Sequence, residues 1–375
     1  MEKDDFAIAF SKRKSEEAAK EVSLKIKSSF SKSIGFLFVF FTPHYNPSNI
    51  LATLNLTLKP EKILGIQSPF LVFEDTLAQE GIVVCCMSGQ DVSFEESFME
   101  EKPSKEIESF LRLAFRKIRK KNFSLLSFLG PGINPVPYLS GLRLFLGEIF
   151  TLAGGGFTKK YSSNTWQIVN NDIIEGAVNI IVKGLDTTSL SLGGYLPLGK
   201  PFVITKAAPA RNLVIEINNE PAINIYRKYL EEKFEQFQDN KLFSLYPLGI
   251  KNGEKFDVIR VLDSLADGSL ACVGNLKEKD TGHIMFLDTG LLQNQIESQL
   301  SPLVAKNQGL VIIVGSLLQK EIIKDNSYTV VKLIKKSLGK NFSVIGMYCD
   351  YSMRSSRETN SIGIDSGNTL LTFWQ

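Results

Sequence analysis

One arrangement recurs three times along this chain: a buried strand, a helix, and a second strand that runs into a glycine. The glycine junctions are Ile63-Leu64-Gly65, Thr151-Leu152-Ala153-Gly154 and Val344-Ile345-Gly346. A repeated strand-helix-strand unit buries its strands only by layering sheets against helices, and a glycine in the second strand marks a close backbone approach or a turn. In the first cycle, residues 6–10 read as a strand. Residues 15–29 read as a helix with Ala18, Ala19, Val22 and Ile26 on one period. The apolar run 35–41 is a buried strand, Ser48 can cap a helix to residue 58, and 62–66 and 81–87 are further strands.

The second cycle follows a helix predicted over residues 103–121. Its strand is 123–129, its helix 137–146, and its next strand runs from 149 into Gly154-Gly155-Gly156. Residues 165–169 and 177–183 are expected to pair as a hairpin. The third cycle comprises 310–314, a helix over 328–338, a strand at 343–346, a polar loop, and a strand at 369–374. Between the second and third cycles lie strands at 202–207 and 212–217, an Asn218-Asn219 turn, a helix opening at Glu220-Pro221-Ala222, and strands at 244–249, 257–263 and 269–273. The predicted class is α/β: mixed β-sheets layered against helices, with repeated strand-helix-strand-strand units in two intimately packed halves, residues 1–217 and 218–375.

At 375 residues, two cores are the natural expectation. Lys and Arg number 43 against 40 Asp and Glu, a balance that gives no reason to expect a nucleic-acid partner. No apolar run approaches the roughly 20 residues of a spanning helix, so membrane insertion is not expected. The first twenty residues lack the apolar core of a secretory leader, and Cys85, Cys86, Cys272 and Cys349 lie in apolar strand contexts without metal or redox spacing. These features point to a cytoplasmic protein with reduced thiols.

Histidine chemistry is restricted to His44 and His283. His44 follows a strand end, and His283 precedes a strand; both read more readily as loop or surface residues than as catalytic bases. The cysteines and histidines do not cluster as zinc ligands do, so neither a metal nor a cofactor is expected. Gly154-Gly155-Gly156 with Lys159 and Lys160 resembles a phosphate cradle only loosely, because a helix does not follow it. Arg112, Arg116, Lys117, Arg119, Lys120 and Lys121 form one basic helix face, offset by nearby glutamates and read as a solvated surface. Without a nucleophile-base pattern, binding is favoured over catalysis and no catalytic residue is assigned.

The segment LSLGGYLPLGKPFVI over residues 190–204, then Lys206-Ala207, Pro221-Ala222 and Ile225-Tyr226, resembles the end of the FIST N-terminal domain, with Tyr195 in the place of a tryptophan. Tyr246-Pro247-Leu248-Gly249-Ile250, Arg260, Asp267-Gly268-Ser269-Leu270 and Gly367-Asn368-Thr369-Leu370 resemble landmarks of the FIST C-terminal domain, in order. The resemblance implies a sensory module for a small molecule, possible ligands including amino acids or related metabolites, that signals through a separate signalling or adaptor protein. A ligand-free interaction module on the same fold is the alternative. The repeat places a candidate pocket around Ser68, Gly155, Ser316, Tyr348, Asp350 and Asn368. The family's acidic signatures after the strand-glycine junctions are largely absent, and Ser316-Leu317-Leu318-Gln319 replaces a Cys-x-x-Arg-like element.

Overall fold

The computed structural model describes residues 5–89, 92–100, 104–115, 123–146, 150–159, 165–236, 241–274, 276–304, 308–356 and 361–375. The repeat is realised as three units. The first contains β1 (Phe6–Ser11), α1 (Ser15–Ser29), β2 (Phe36–Phe41), α2 (Pro47–Leu58), β3 (Lys62–Gln67), the hairpin β4 (Leu71–Phe73) and β5 (Thr76–Ala78), and β6 (Ile82–Met87). The second contains β7 (Ser93–Glu100), α3 (Ser104–Phe115), β8 (Ser124–Leu129), α4 (Pro135–Leu146), β9 (Thr151–Gly156), the hairpin β10 (Gln167–Val169) and β11 (Asp172–Ile174), and β12 (Gly176–Lys183).

The third unit opens with β13 (Thr187–Leu192) and is then interrupted by an insertion. That insertion holds β14 (Tyr195–Ala208), β15 (Leu213–Ile217), β16 (Glu220–Pro221), α5 (Asn224–Gln236), α6 (Lys241–Leu245), β17 (Leu248–Asn252), β18 (Lys255–Ser264), β19 (Leu270–Val273) and β20 (Thr281–Leu287). The unit resumes with α7 (Thr289–Val304), β21 (Gly309–Ser316), α8 (Leu317–Ile323), α9 (Ser327–Leu338), β22 (Phe342–Cys349), the hairpin β23 (Tyr351–Ser356) and β24 (Ser361–Asp365), and β25 (Thr369–Trp374).

Each unit builds a six-stranded sheet around a parallel pair joined by a helical crossover: β2 with β3, β8 with β9, and β21 with β22. No unit keeps its own hairpin. The sheet orders are β1-β6-β2-β3-β10-β11, β7-β12-β8-β9-β23-β24 and β13-β25-β21-β22-β4-β5, so each hairpin completes the sheet of another unit in a closed cycle. The three glycine junctions are equivalent in register. Gly65 pairs with Val39 and Ile168, Gly154 with Ser127 and Met353, and Gly346 with Ile313 and Val72.

Alternation along the strands sets the layers. Phe36, Phe38, Phe40, Leu126, Phe128, Leu310, Ile312 and Val314 face a shared central core that also takes in Trp374. Their neighbours face outward onto helices. Leu37, Val39 and Phe41 pack on α1 and α2, Leu125 and Leu129 on α3 and α4, and Val311 and Ile313 on α7 and α9. Because both sheet faces are covered, the central strands read as continuous apolar runs.

The insertion forms a seven-stranded sheet, β14-β20-β17-β18-β19-β15-β16, with its own core of Phe202, Val214, Tyr226, Leu230 and Ile259. Residues 217 and 218 lie inside it, at the end of β15 and in the turn to β16. Asn218 and Asn219 both adopt positive φ, 53° and 63°, as a tight hairpin turn requires.

Several local expectations are corrected. Asn46, not Ser48, caps α2, its side chain accepting from the Ser48 and Asn49 amides with Pro47 at the first helical position. Gly154, Gly155 and Gly156 are buried strand residues rather than a loop, so no phosphate cradle exists there. β10 pairs with β11 across Asn170, left-handed at φ 53°, while β12 joins the second unit's sheet. Glu220 and Pro221 form a strand pair, and α5 begins at Asn224. Residues 241–245 are helical before β17, and the polar loop before β25 is the hairpin β23–β24. Of the basic cluster, Arg112 is exposed and paired with Glu108; Arg116, Lys117, Arg119, Lys120 and Lys121 lie outside the described residues, as does Lys160.

Candidate ligand site

The carboxyl ends of β3, β9 and β22 come together, Ser68 bonding to Tyr348 and the Asp350 amide donating to the Gly156 carbonyl at 3.0 Å. Four of the residues picked from the repeat meet there. The Ser68 hydroxyl donates to the Tyr348 carbonyl at 2.7 Å, and the Tyr348 ring packs edge-on to Phe70. Gly155 is closely covered, since a Cβ there would sit 2.5 Å from Cys349 Sγ and 2.6 Å from the Tyr351 carbonyl. Asp350, fully buried, accepts from the Thr158 amide at 2.7 Å and the Thr158 hydroxyl at 3.0 Å through Oδ2. Its Oδ1 has no hydrogen-bond partner among the described residues.

Ser316 and Asn368 belong to a second, satisfied network in the third unit. Ser316 donates to the Ser366 carbonyl and caps α8 by accepting from the Gln319 amide at 2.9 Å. Gln319 in turn accepts from Thr369 at 2.8 Å and donates to the Gly193 carbonyl at 3.2 Å. Asn368 donates through both its amide and its side chain to Asp365, at 2.8 and 2.6 Å. Satisfied hydroxyls of this kind hold loops in place.

Between these networks lies a partly buried ionic cluster that links the strand ends to the seven-stranded sheet. Arg260, on β18 and 1% exposed, pairs with Glu321 of α8. Arg354 pairs with Asp257 at 2.8 Å, and the Ser366 amide donates to the Val258 carbonyl at 2.7 Å. Burial drives the Asp350 carboxyl up to about 6, with Thr158 and Arg260 acting against the rise. Asp365 is likewise pushed up to about 6 by burial, opposed by Arg354. Tyr195 is raised by burial and by Asp365, and its hydroxyl has no partner among the described residues. Arg260 and Tyr195 were visible in the sequence only as family landmarks, because Glu321, which pairs with Arg260, and Asp365, which acts on Tyr195, lie far along the chain from them.

A cavity of about 280 Å³ opens beside Thr158. Its walls are the loop from Pro131 to Pro135 ahead of α4, the segment Phe157 to Lys159 after β9, Arg211 and Asn212 in the turn after β14, and Leu262 and Ala271 of the seven-stranded sheet. None of the six residues picked from the repeat lines it; Tyr351, next to Asp350 in the chain, and Phe157 and Thr158, shortly after Gly155, do. One signal for this loop was present in the sequence. Thr42-Pro43-His44-Tyr45-Asn46-Pro47 and Gly130-Pro131-Gly132-Ile133-Asn134-Pro135 share two prolines and an asparagine at the same spacing. Both segments form the same turn, with Tyr45 and Ile133 donating to Thr42 and Gly130 and with Asn46 and Asn134 capping α2 and α4. In the first unit the turn leaves His44 exposed; in the second the insertion covers it and encloses the cavity.

The chain matches the family model of the FIST N domain over residues 35–220 and that of the FIST C domain over residues 222–350. The chain belongs to the FIST family. A search of curated proteins finds no match. Among solved structures, a cyanuric acid hydrolase described as an "evolutionary innovation by structural concatenation" matches over 99% of this chain and 99% of its own, at 8% identity and a TM-score of 0.36. A likeness at that level carries no argument about this FIST chain. Among the described residues, no helix is long and apolar enough to cross a membrane, and no group of three or more potential metal ligands occurs.

Proposed function

We propose that this FIST protein is a binding module that takes a small metabolite in the cavity beside Thr158 and passes its occupancy to a separate protein. FIST domains are sensory, signalling-type domains. The observation that carries the reading is the position of the cavity. Its walls come from the second unit, the third unit and the seven-stranded sheet, so an occupant touches all three at once. Thr158 joins that wall to Asp350, and β18 carries the Arg260–Glu321 pair behind it. Binding there has a direct route to the relative stability of the loops.

Binding rather than catalysis is supported by the state of the nucleophiles. Ser68 and Ser316 are committed to carbonyls, and burial raises the Cys349 thiol far from its reactive thiolate form. A thermal-shift screen of the full chain against amino acids and small organic acids tests the proposal. A reproducible rise in Tm with one chemical class is expected; a screen in which no compound shifts it rejects the reading.

A ligand-free adaptor is a second reading, and one feature favours it. Leu24, Leu56, Leu113 and Leu144 are 69, 77, 70 and 65% exposed, each at the tenth position of α1, α2, α3 and α4. Affinity capture from cells tests this, and recovery of the protein alone argues against it.

A further inference from the structure

We infer that the cavity beside Thr158 selects a small organic anion, a monocarboxylate with a compact apolar body. The inference rests on the reading that this cavity is the ligand site and goes beyond it by assigning the ligand's charge. Among the described residues its lining contains no Asp or Glu, whereas Lys159 and Arg211 both stand at its exposed rim. Asp350, a nearby carboxylate, stays behind the wall: its Oδ2 is committed to the amide and hydroxyl of Thr158, and it does not line the space. An ammonium group inside would therefore meet the Arg211 guanidinium and, among the described lining residues, no carboxylate. The body of the cavity is apolar, formed by Ile133, Phe157, Leu262, Ala271 and Val273.

A donor suited to an oxyanion is also present. Tyr351 lines the same space and is 1% exposed, and its hydroxyl has no partner among the described residues. Gly156 makes room for it, since a Cβ there would lie on the hydroxyl. Burial raises the phenol well above its ordinary value, which keeps the proton on and the group a donor. The twelve-residue α4 begins at the same wall and adds the positive end of its dipole. The volume, about 280 Å³, is of the order that a small organic acid such as a branched short-chain acid or benzoate occupies.

The test uses the full chain at pH 7 with four small probes: 3-methylbutanoate, benzoate, 3-methylbutylamine and leucine. The two acids, each at about 10 mM, are expected to raise Tm by roughly 2 °C and the amine to leave it unchanged. Arg211→Gln, an exposed change, is expected to weaken acid binding about tenfold or more by titration calorimetry, with the unliganded Tm unaltered. Ala271→Phe, which fills the cavity, is expected to abolish it. Stabilisation by the amine or by leucine in preference to the acids overturns the inference and leaves the binding reading standing. Acid binding that survives Arg211→Gln undiminished also overturns it. If none of the four binds, the inference fails, and the binding reading falls with it only if the wider screen of amino acids and organic acids is also silent.

Discussion

Asp350 shows how a single residue ties this fold to pH. Its carboxyl sits at about 6 in the folded chain against an ordinary value of 3.8. Below pH 4 both folded and unfolded chains hold the proton, and the group costs nothing. As pH rises from 4 to 6 the unfolded chain ionises first, so stability falls; above 6 the loss is complete. Asp350→Asn keeps an acceptor for Thr158 and removes the charge. It is expected to be about 1–3 kcal/mol more stable than the parent at pH 8 and equal to it near pH 4, read from urea unfolding at both. A gain independent of pH would show that burial of charge is not the cause. The glycine junctions make a second residue-scale case. A Cβ at Gly346 would lie 2.2 Å from the Ile313 carbonyl, and one at Gly154 would lie 1.8 Å from the Ser127 carbonyl at φ 150°, whereas at Gly65 it meets the Ile168 side chain at 2.9 Å. Alanine is expected to cost Gly154 and Gly346 about 3 kcal/mol or more and Gly65 about 1–2 kcal/mol, measured as shifts in the urea midpoint. These glycines were legible in the sequence because each interrupts an apolar run. The unpartnered oxygen of Asp350 was not, since Thr158, which takes up the other oxygen, lies 192 positions earlier in the chain.

At the level of elements, local signals carried far and pairing signals did not. The apolar runs of β2, β8 and β21 and the helix period of α1 and α9 identified those elements because burial imposes a pattern within a few residues. The short hairpins escaped notice or were paired wrongly. β4, β5, β10 and β11 are three residues each, and their choice of sheet is decided by an edge strand in another unit. The exchange makes a directional prediction. Replacing residues 71–78 with a short Gly-Ser link removes the strand that pairs with Ile345, Gly346 and Met347 of β22. Hydrogen exchange is expected to show the Gly346 amide, which faces the hairpin, losing protection, while β3, the strand that precedes the deleted hairpin, keeps its partners β2 and β10. Loss confined to the first unit would mean that the hairpin serves the unit encoding it.

Closure of that cycle decides how the whole chain behaves. A protein of 375 residues with a sequence boundary near 218 invites the expectation of two independently melting bodies. The topology argues otherwise. Residues 1–217 hold both parallel pairs of the first two units, but the second sheet ends in β23 and β24, and β13 pairs with β25, all from the other half. Residues 218–375 hold the third parallel pair, whose sheet needs β4 and β5. The seven-stranded sheet is divided as well, with β14 and β15 on one side and β16 to β20 on the other. Cutting at 217 therefore exposes unpaired strand edges in three sheets, the condition under which chains aggregate. Calorimetry of the intact chain is expected to give one transition, with van't Hoff and calorimetric enthalpies agreeing. The two halves are expected to be insoluble when made separately and to co-purify when made together, because each supplies the edges the other lacks. Two resolved transitions, or one half folding alone to a cooperative unit, would show that the exchanged hairpins decorate the sheets rather than complete them.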